Sequence, residues 1–131
     1  MFLAAQIIAL LAAVLHIVFF AFESILWSRP RVFGRFGIAS AADAETIRPM
    51  AYNQGFYNLA LALGVIIGVL LLRSSGDIFV VGKTLVVFGT ACMVIAGIVL
   101  ATTGSRYRTS AAIQFIPAAA ALILTSLVHS S

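Results

Sequence analysis

Four stretches without a charged side chain, residues 1–22, 50–72, 84–105 and 109–131, occupy most of this 131-residue chain. A helix needs about 20 mostly apolar residues to cross a hydrocarbon core of roughly 30 Å, so each stretch is long enough to span a bilayer. In lipid the backbone must satisfy its own hydrogen bonds, which favours helices over any open arrangement. The composition agrees: 63% of residues are hydrophobic and 9% charged, against about 25% charged in soluble domains. The expected fold is therefore all-α, a polytopic membrane protein built as one four-transmembrane-helix bundle. The first stretch has no basic leader and runs into Glu23 and Trp27 rather than a small-residue cleavage site, so it is expected to be a retained span and not a signal peptide.

Spans are expected at about residues 2–27, 50–72, 79–102 and 109–128, with residues 28–49 as a cytoplasmic or interfacial loop. Pro30 and Pro49 bound that loop, and Pro49 is expected to break or kink the chain before the second span. Within the loop, Val32, Phe33 and Phe36 alternate with Arg31 and Arg35, which suits a segment at the headgroup level. Ser40 followed by Asp43 carries the pattern of a helix start. The net charge of +4 arises from basic residues in the connections. Six of the eight, Arg29, Arg31, Arg35, Arg48, Arg106 and Arg108, fall in the first and third; only Arg73 and Lys83 lie around the second. The positive-inside rule then predicts a cytoplasmic first and third connection and both termini outside. Such a distribution explains the charge without nucleic acid, and the expected partner is the lipid bilayer.

Polar groups inside the spans are the candidate functional residues, because each is costly in hydrocarbon. Helical spacing aligns His16, Phe20, Glu23 and Trp27 on the first span. Gln54 and Asn58 share a face of the second, with Asn53 and Tyr57 on its shoulder, and Gln114 lies on the fourth near Pro117. At 1.5 Å per residue, Glu23 lies about 6 Å and His16 about 16 Å from the inner end of the first span. Gln54, Asn58 and Gln114 fall about 6, 12 and 8 Å from the inner ends of theirs. These groups should converge on a pocket in the cytoplasmic half, with His16, Phe20, Glu23, Trp27, Asn53, Tyr57, Gln54, Asn58 and Gln114 as its ligand-binding set. Gly64 and Gly68 read as a close helix contact, Trp27 and Tyr52 as interfacial aromatics, and Cys92 as a packing residue. One His and one carboxylate are too few for a metal site, and nothing in the chain indicates a cofactor.

The run His16-Ile-Val-Phe-Phe-Ala-Phe-Glu23-Ser-Ile-Leu-Trp27, then Asn53-Gln54-Gly55-Phe-Tyr57-Asn58-Leu-Ala60, then Gln114-Phe-Ile-Pro117-Ala118 resembles the DUF1304 family of small membrane proteins. The resemblance implies four spans and singles out these motif residues; it implies no activity. Three functions compete on the residues. One is a small transporter or ligand-binding protein for an amphipathic small molecule, homo-oligomeric, with Glu23 as the coupling acid. Another is an enzyme of isomerase or oxidoreductase type on a lipid-soluble substrate, with His16 and Glu23 as catalytic candidates. The last is a structural subunit of a membrane complex.

Overall fold

The computed structural model describes residues 1–129; Ser130 and Ser131, the end of the fourth uncharged run, lie outside the described residues. The chain is all-α. Helix α1 (Phe2–Phe20) ends in a π-turn, Ala21–Ile25, and a short helix α2 (Pro30–Phe33) runs into a 3-10 turn, Gly34–Phe36. Helices α3 (Ala41–Leu71), α4 (Gly76–Thr103) and α5 (Arg108–Ser126) follow, the last two joined through the 3-10 turn Ser105–Tyr107. Four segments, Phe2–Ile25, Ala41–Leu71, Gly76–Thr103 and Ser105–Ser126, are long and apolar enough to cross a membrane.

The four long helices run alternately up and down in a ring: α1 packs on α3 and α5, and α4 packs on the same two. One end of the bundle carries α2 and the turn before α5, and is called the loop end. The other carries Met1, the end of α5 and the α3–α4 turn, and is called the terminal end. The interior of the terminal half combines small residues, Ala5, Ala9, Ala12 and Ala13 of α1, Ala62 of α3, and Ala118 and Ala121 of α5, with larger apolar ones such as Val65, Leu72, Phe79, Val86 and Met93. Large apolar side chains such as Leu3, Leu70, Phe88, Ile116 and Ile123 point outward. Large apolar side chains thus cover the outside as well as the core, unlike the surface of a protein folded in water. This suits helices that associate by close backbone approach rather than by hiding apolar surface.

The closest approach joins α3 and α4 at Gly68 and Gly82, where a Cβ on either residue would lie 2.8 Å from the other's carbonyl oxygen. Gly64 has open space where its Cβ would stand. The expected Gly64–Gly68 contact is therefore corrected: only Gly68 serves it, because Gly64 faces away from α4. Polar ties reinforce the same half. Gln6 Nε2 donates to the Val69 carbonyl at 3.3 Å, and Lys83 Nζ donates to the Ser126 and Val128 carbonyls at 2.9 and 2.7 Å. Lys83 thereby caps the end of α5, where helical carbonyls lack partners and cations are favoured.

Two boundaries differ from the sequence expectation. Helix α3 starts at Ala41 and passes through Pro49 without a break. Pro49 and Glu45, whose carbonyl it leaves without a helical donor, are both exposed, so the loss can be met by water or headgroups. Ser40 caps this helix as its position predicted, accepting the Asp43 N–H at 3.1 Å. With 31 residues, α3 is about 46 Å long, longer than the roughly 30 Å of a hydrocarbon core. The connection shrinks accordingly to about residues 26–40. The first span does not continue as an α-helix to Trp27; the π-turn ends it. Trp27 is also not an interfacial belt residue. It is 5% exposed, packs with Phe33, Ala44 and Ala51, and donates from Nε1 to the Ala44 carbonyl at 2.8 Å.

Candidate functional site

Glu23 sits in the π-turn, and that turn is pressed against α3 at Gly55. A Cβ at position 55 would overlap the Ser24 hydroxyl and lie 3.2 Å from the Glu23 Cβ, so glycine permits the approach. Ser24 Oγ fastens the contact by donating to the Tyr52 carbonyl at 2.9 Å. One turn beyond Gly55 on the same face, Asn58 Nδ2 donates to Glu23 Oε2 at 2.7 Å. Both side chains are largely buried, Asn58 at 5% and Glu23 at 9% exposure. Among the described residues no other donor reaches the carboxyl and no cation pairs with it; the ion pair present is Arg48–Glu45, exposed at the start of α3.

Glu23 lies on the wall of a cleft of about 640 Å³ at the loop end, within the size range of small-molecule sites. Phe19, Phe22 and Glu23 form its first wall, and Gln54 and Asn58 its second. Cys92, Ile95, Ala96, Val99, Leu100 and Thr103 run along α4, and Ser110, Ile113 and Gln114 along α5. Arg35, Phe36 and Tyr107 close the loop end, where Tyr107 Oη donates to the Phe36 carbonyl at 3.2 Å. The Arg35 guanidinium stands 5.6 Å from the centre of the Phe22 ring, a cation–π distance. The lining is mostly apolar, and Gln54, Ile95, Val99 and Ile113 remain exposed, so this is an open cleft and not a sealed chamber.

Of the nine residues expected to bind ligand, Glu23, Gln54, Asn58 and Gln114 come together on this wall. His16 stands one layer behind. It is 1% exposed, with Nδ1 2.9 Å from the Ala12 carbonyl and Nε2 3.4 Å from Gln114 Nε2. The carbonyl can only accept, so Nδ1 carries a proton, and Nε2 is left to accept a long contact from Gln114. Phe19, in edge contact with the imidazole at 5.4 Å, and Gln114 separate it from the cleft.

The other four are not on the wall. Phe20 packs edge-on against Phe56, Trp27 belongs to the small core under α2, and Asn53 and Tyr57 are exposed on α3. The π-turn is the reason for the first two. Its extra residue per turn breaks the 3.6-residue stripe, so Phe19 and Phe22 accompany Glu23 instead. Asn53 and Tyr57 lie on the shoulder of α3 opposite the close contact at Gly55. The sequence reading missed Arg35, Phe36, Tyr107 and the whole α4 wall. The alternation of Arg35 with Phe33 and Phe36 was a usable signal for the first two; the α4 stripe is apolar and has none. Among the described residues no three His, Cys, Asp or Glu side chains gather as a metal site.

The bundle and its cleft define a small all-α protein with an apolar surface and one buried carboxyl at a ligand-sized opening. The chain belongs to the DUF1304 family: the model described as "Protein of unknown function (DUF1304)" matches residues 10–126, which include every wall residue of the cleft. No curated protein and no solved structure matches the chain.

Proposed function

We propose that the chain is an integral membrane protein that binds an amphipathic small molecule in the loop-end cleft, as a small transporter or ligand carrier. Four spanning-length helices with large aliphatic side chains outward support membrane insertion, and the arginine-rich connections support a cytoplasmic loop end. The observation that carries the binding function is Glu23. A carboxyl with a single neutral donor, on an otherwise mostly apolar wall, is a costly arrangement that helix packing alone does not require. Gln54, which lines the same cleft, has no hydrogen-bond partner among the described residues.

The cleft stops at the alanine-rich core of the terminal half. A transport path therefore needs rearrangement of this bundle or a second copy beside it, and a homo-oligomer is the proposed working unit. Catalysis by a His16–Glu23 pair has less support, because Phe19 and Gln114 stand between the imidazole and the cleft. A purely structural subunit leaves the exposed Gln54 amide and the sparsely held Glu23 carboxyl on the cleft wall without a use.

The test is equilibrium binding of an amphipathic probe across the acid-to-neutral range, with purified wild type and Glu23→Gln. Binding by the wild type should change with pH through the Glu23 carboxyl, and the variant should lose that dependence. An identical affinity and pH profile in both proteins would refute Glu23 as the coupling group.

A further inference from the structure

The cleft carries an acidic and a basic side chain that do not meet. Glu23 and Arg35 both line it, yet they form no ion pair; Glu23 is held by Asn58, and Arg35 rests over Phe22. Arg35 has no acidic partner among the described residues and stands at the loop-end rim. Its guanidinium presents several donors and no acceptor, which suits a phosphate or carboxylate. Glu23 presents acceptor oxygens deeper in the wall, with the exposed Gln54 amide beside it. Between and beyond them the α4 and α5 walls are aliphatic at Ile95, Val99 and Ile113, and these residues are exposed. An apolar chain can lie along them while its head stays in the cleft.

From this arrangement, and resting on the ligand-binding function above, we infer that the ligand is a zwitterionic amphiphile. Its ammonium group docks against Glu23 and its anionic group against Arg35, with the apolar tail on the α4–α5 wall. A purely cationic amphiphile leaves Arg35 unmatched and meets its charge at the rim. A purely anionic one places its charge at Arg35 and leaves the Glu23 carboxyl without a partner. The zwitterion offers a partner of opposite charge to both groups at once. The same head chemistry exists in a phospholipid-like molecule and in a soluble phosphoamine, and the apolar wall favours the first.

The experiment is native mass spectrometry titration of the full chain in a non-ionic detergent with four probes. These are a lysophosphatidylethanolamine, the lysophosphatidic acid of equal chain length, an alkylammonium of equal chain length, and free phosphoethanolamine. The zwitterionic lipid should bind about tenfold or more tighter than either singly charged lipid, the size of one lost charge-assisted hydrogen bond. Glu23→Gln should weaken the zwitterion and spare the lysophosphatidic acid. Arg35→Gln should weaken both of these and spare the alkylammonium. Free phosphoethanolamine bound as tightly as the lipid would support the charge pairing and make the ligand soluble. Either singly charged lipid binding as tightly as the zwitterion to wild type overturns the inference while leaving the cleft a ligand site. Failure of all four probes to bind overturns the inference and counts against the ligand-binding function beneath it. The wild-type series decides this even if a variant does not fold.

Discussion

A methyl group at position 55 would overlap the Ser24 hydroxyl and crowd the Glu23 Cβ at 3.2 Å. The hydroxyl can rotate away, but it then gives up its bond to the Tyr52 carbonyl, worth about 1 kcal/mol. The crowding of Glu23 is relieved only if the π-turn backs off from α3, which lengthens the bond from Asn58. Gly55→Ala should therefore lower the melting midpoint in detergent and weaken ligand binding together. In a Ser24→Ala background the same substitution should lose less stability, because the clashing hydroxyl and its bond are already gone. An equal loss in both backgrounds would contradict this geometry. His16 illustrates what a residue's sequence position conceals. Its depth was legible from spacing, but Phe19 and Gln114 place it behind the cleft wall rather than on it.

Helices α3 and α4 meet where Gly68 and Gly82 face each other's carbonyls at Cβ distances of 2.8 Å, and backbone cannot yield as a side chain can. Gly82→Ala should cost about 1–3 kcal/mol, the range for overpacking a tight contact. Gly64→Ala meets open space and should be neutral or stabilising by up to about 1 kcal/mol, from helix propensity alone. Thermal unfolding of the two variants in one detergent checks the contrast; equal effects would mean the crossing is not where these glycines place it. The existence of the helices was legible because uncharged length reports it directly. Their registers were less so. A 3.6-residue stripe joined Glu23 to Phe20 and Trp27, and the π-turn at Ala21–Ile25 dissolves that stripe; no residue type in it announces the extra residue. Pro49 misled in the other direction, since a proline near an exposed helix start loses a bond that solvent can replace.

Across the whole molecule the two halves are built differently. The terminal half is closed by tight packing of small and larger apolar residues and the Gly68–Gly82 contact, whereas the loop half holds the cleft, with Glu23, Gln54 and Asn58 on its α1 and α3 side and a mostly apolar α4 and α5 side that Gln114 interrupts. The rise per residue placed the polar groups toward the arginine-rich end from sequence alone. The apolar wall stayed invisible because an aliphatic residue lining a cleft has the same sequence signature as one facing lipid. Arginine counts also predict orientation: a C-terminal reporter active only outside the cytoplasm should be active, and one active only inside should be silent. The reverse pattern would move the cleft to the outer face.

The most direct measurement is native mass spectrometry of protein gently extracted from its own membrane, comparing wild type with Glu23→Gln. A cleft built around Glu23 predicts an amphipathic species that travels with the folded wild type and is lost from the variant. Bare protein in both samples, or the same species held equally by both, would contradict it.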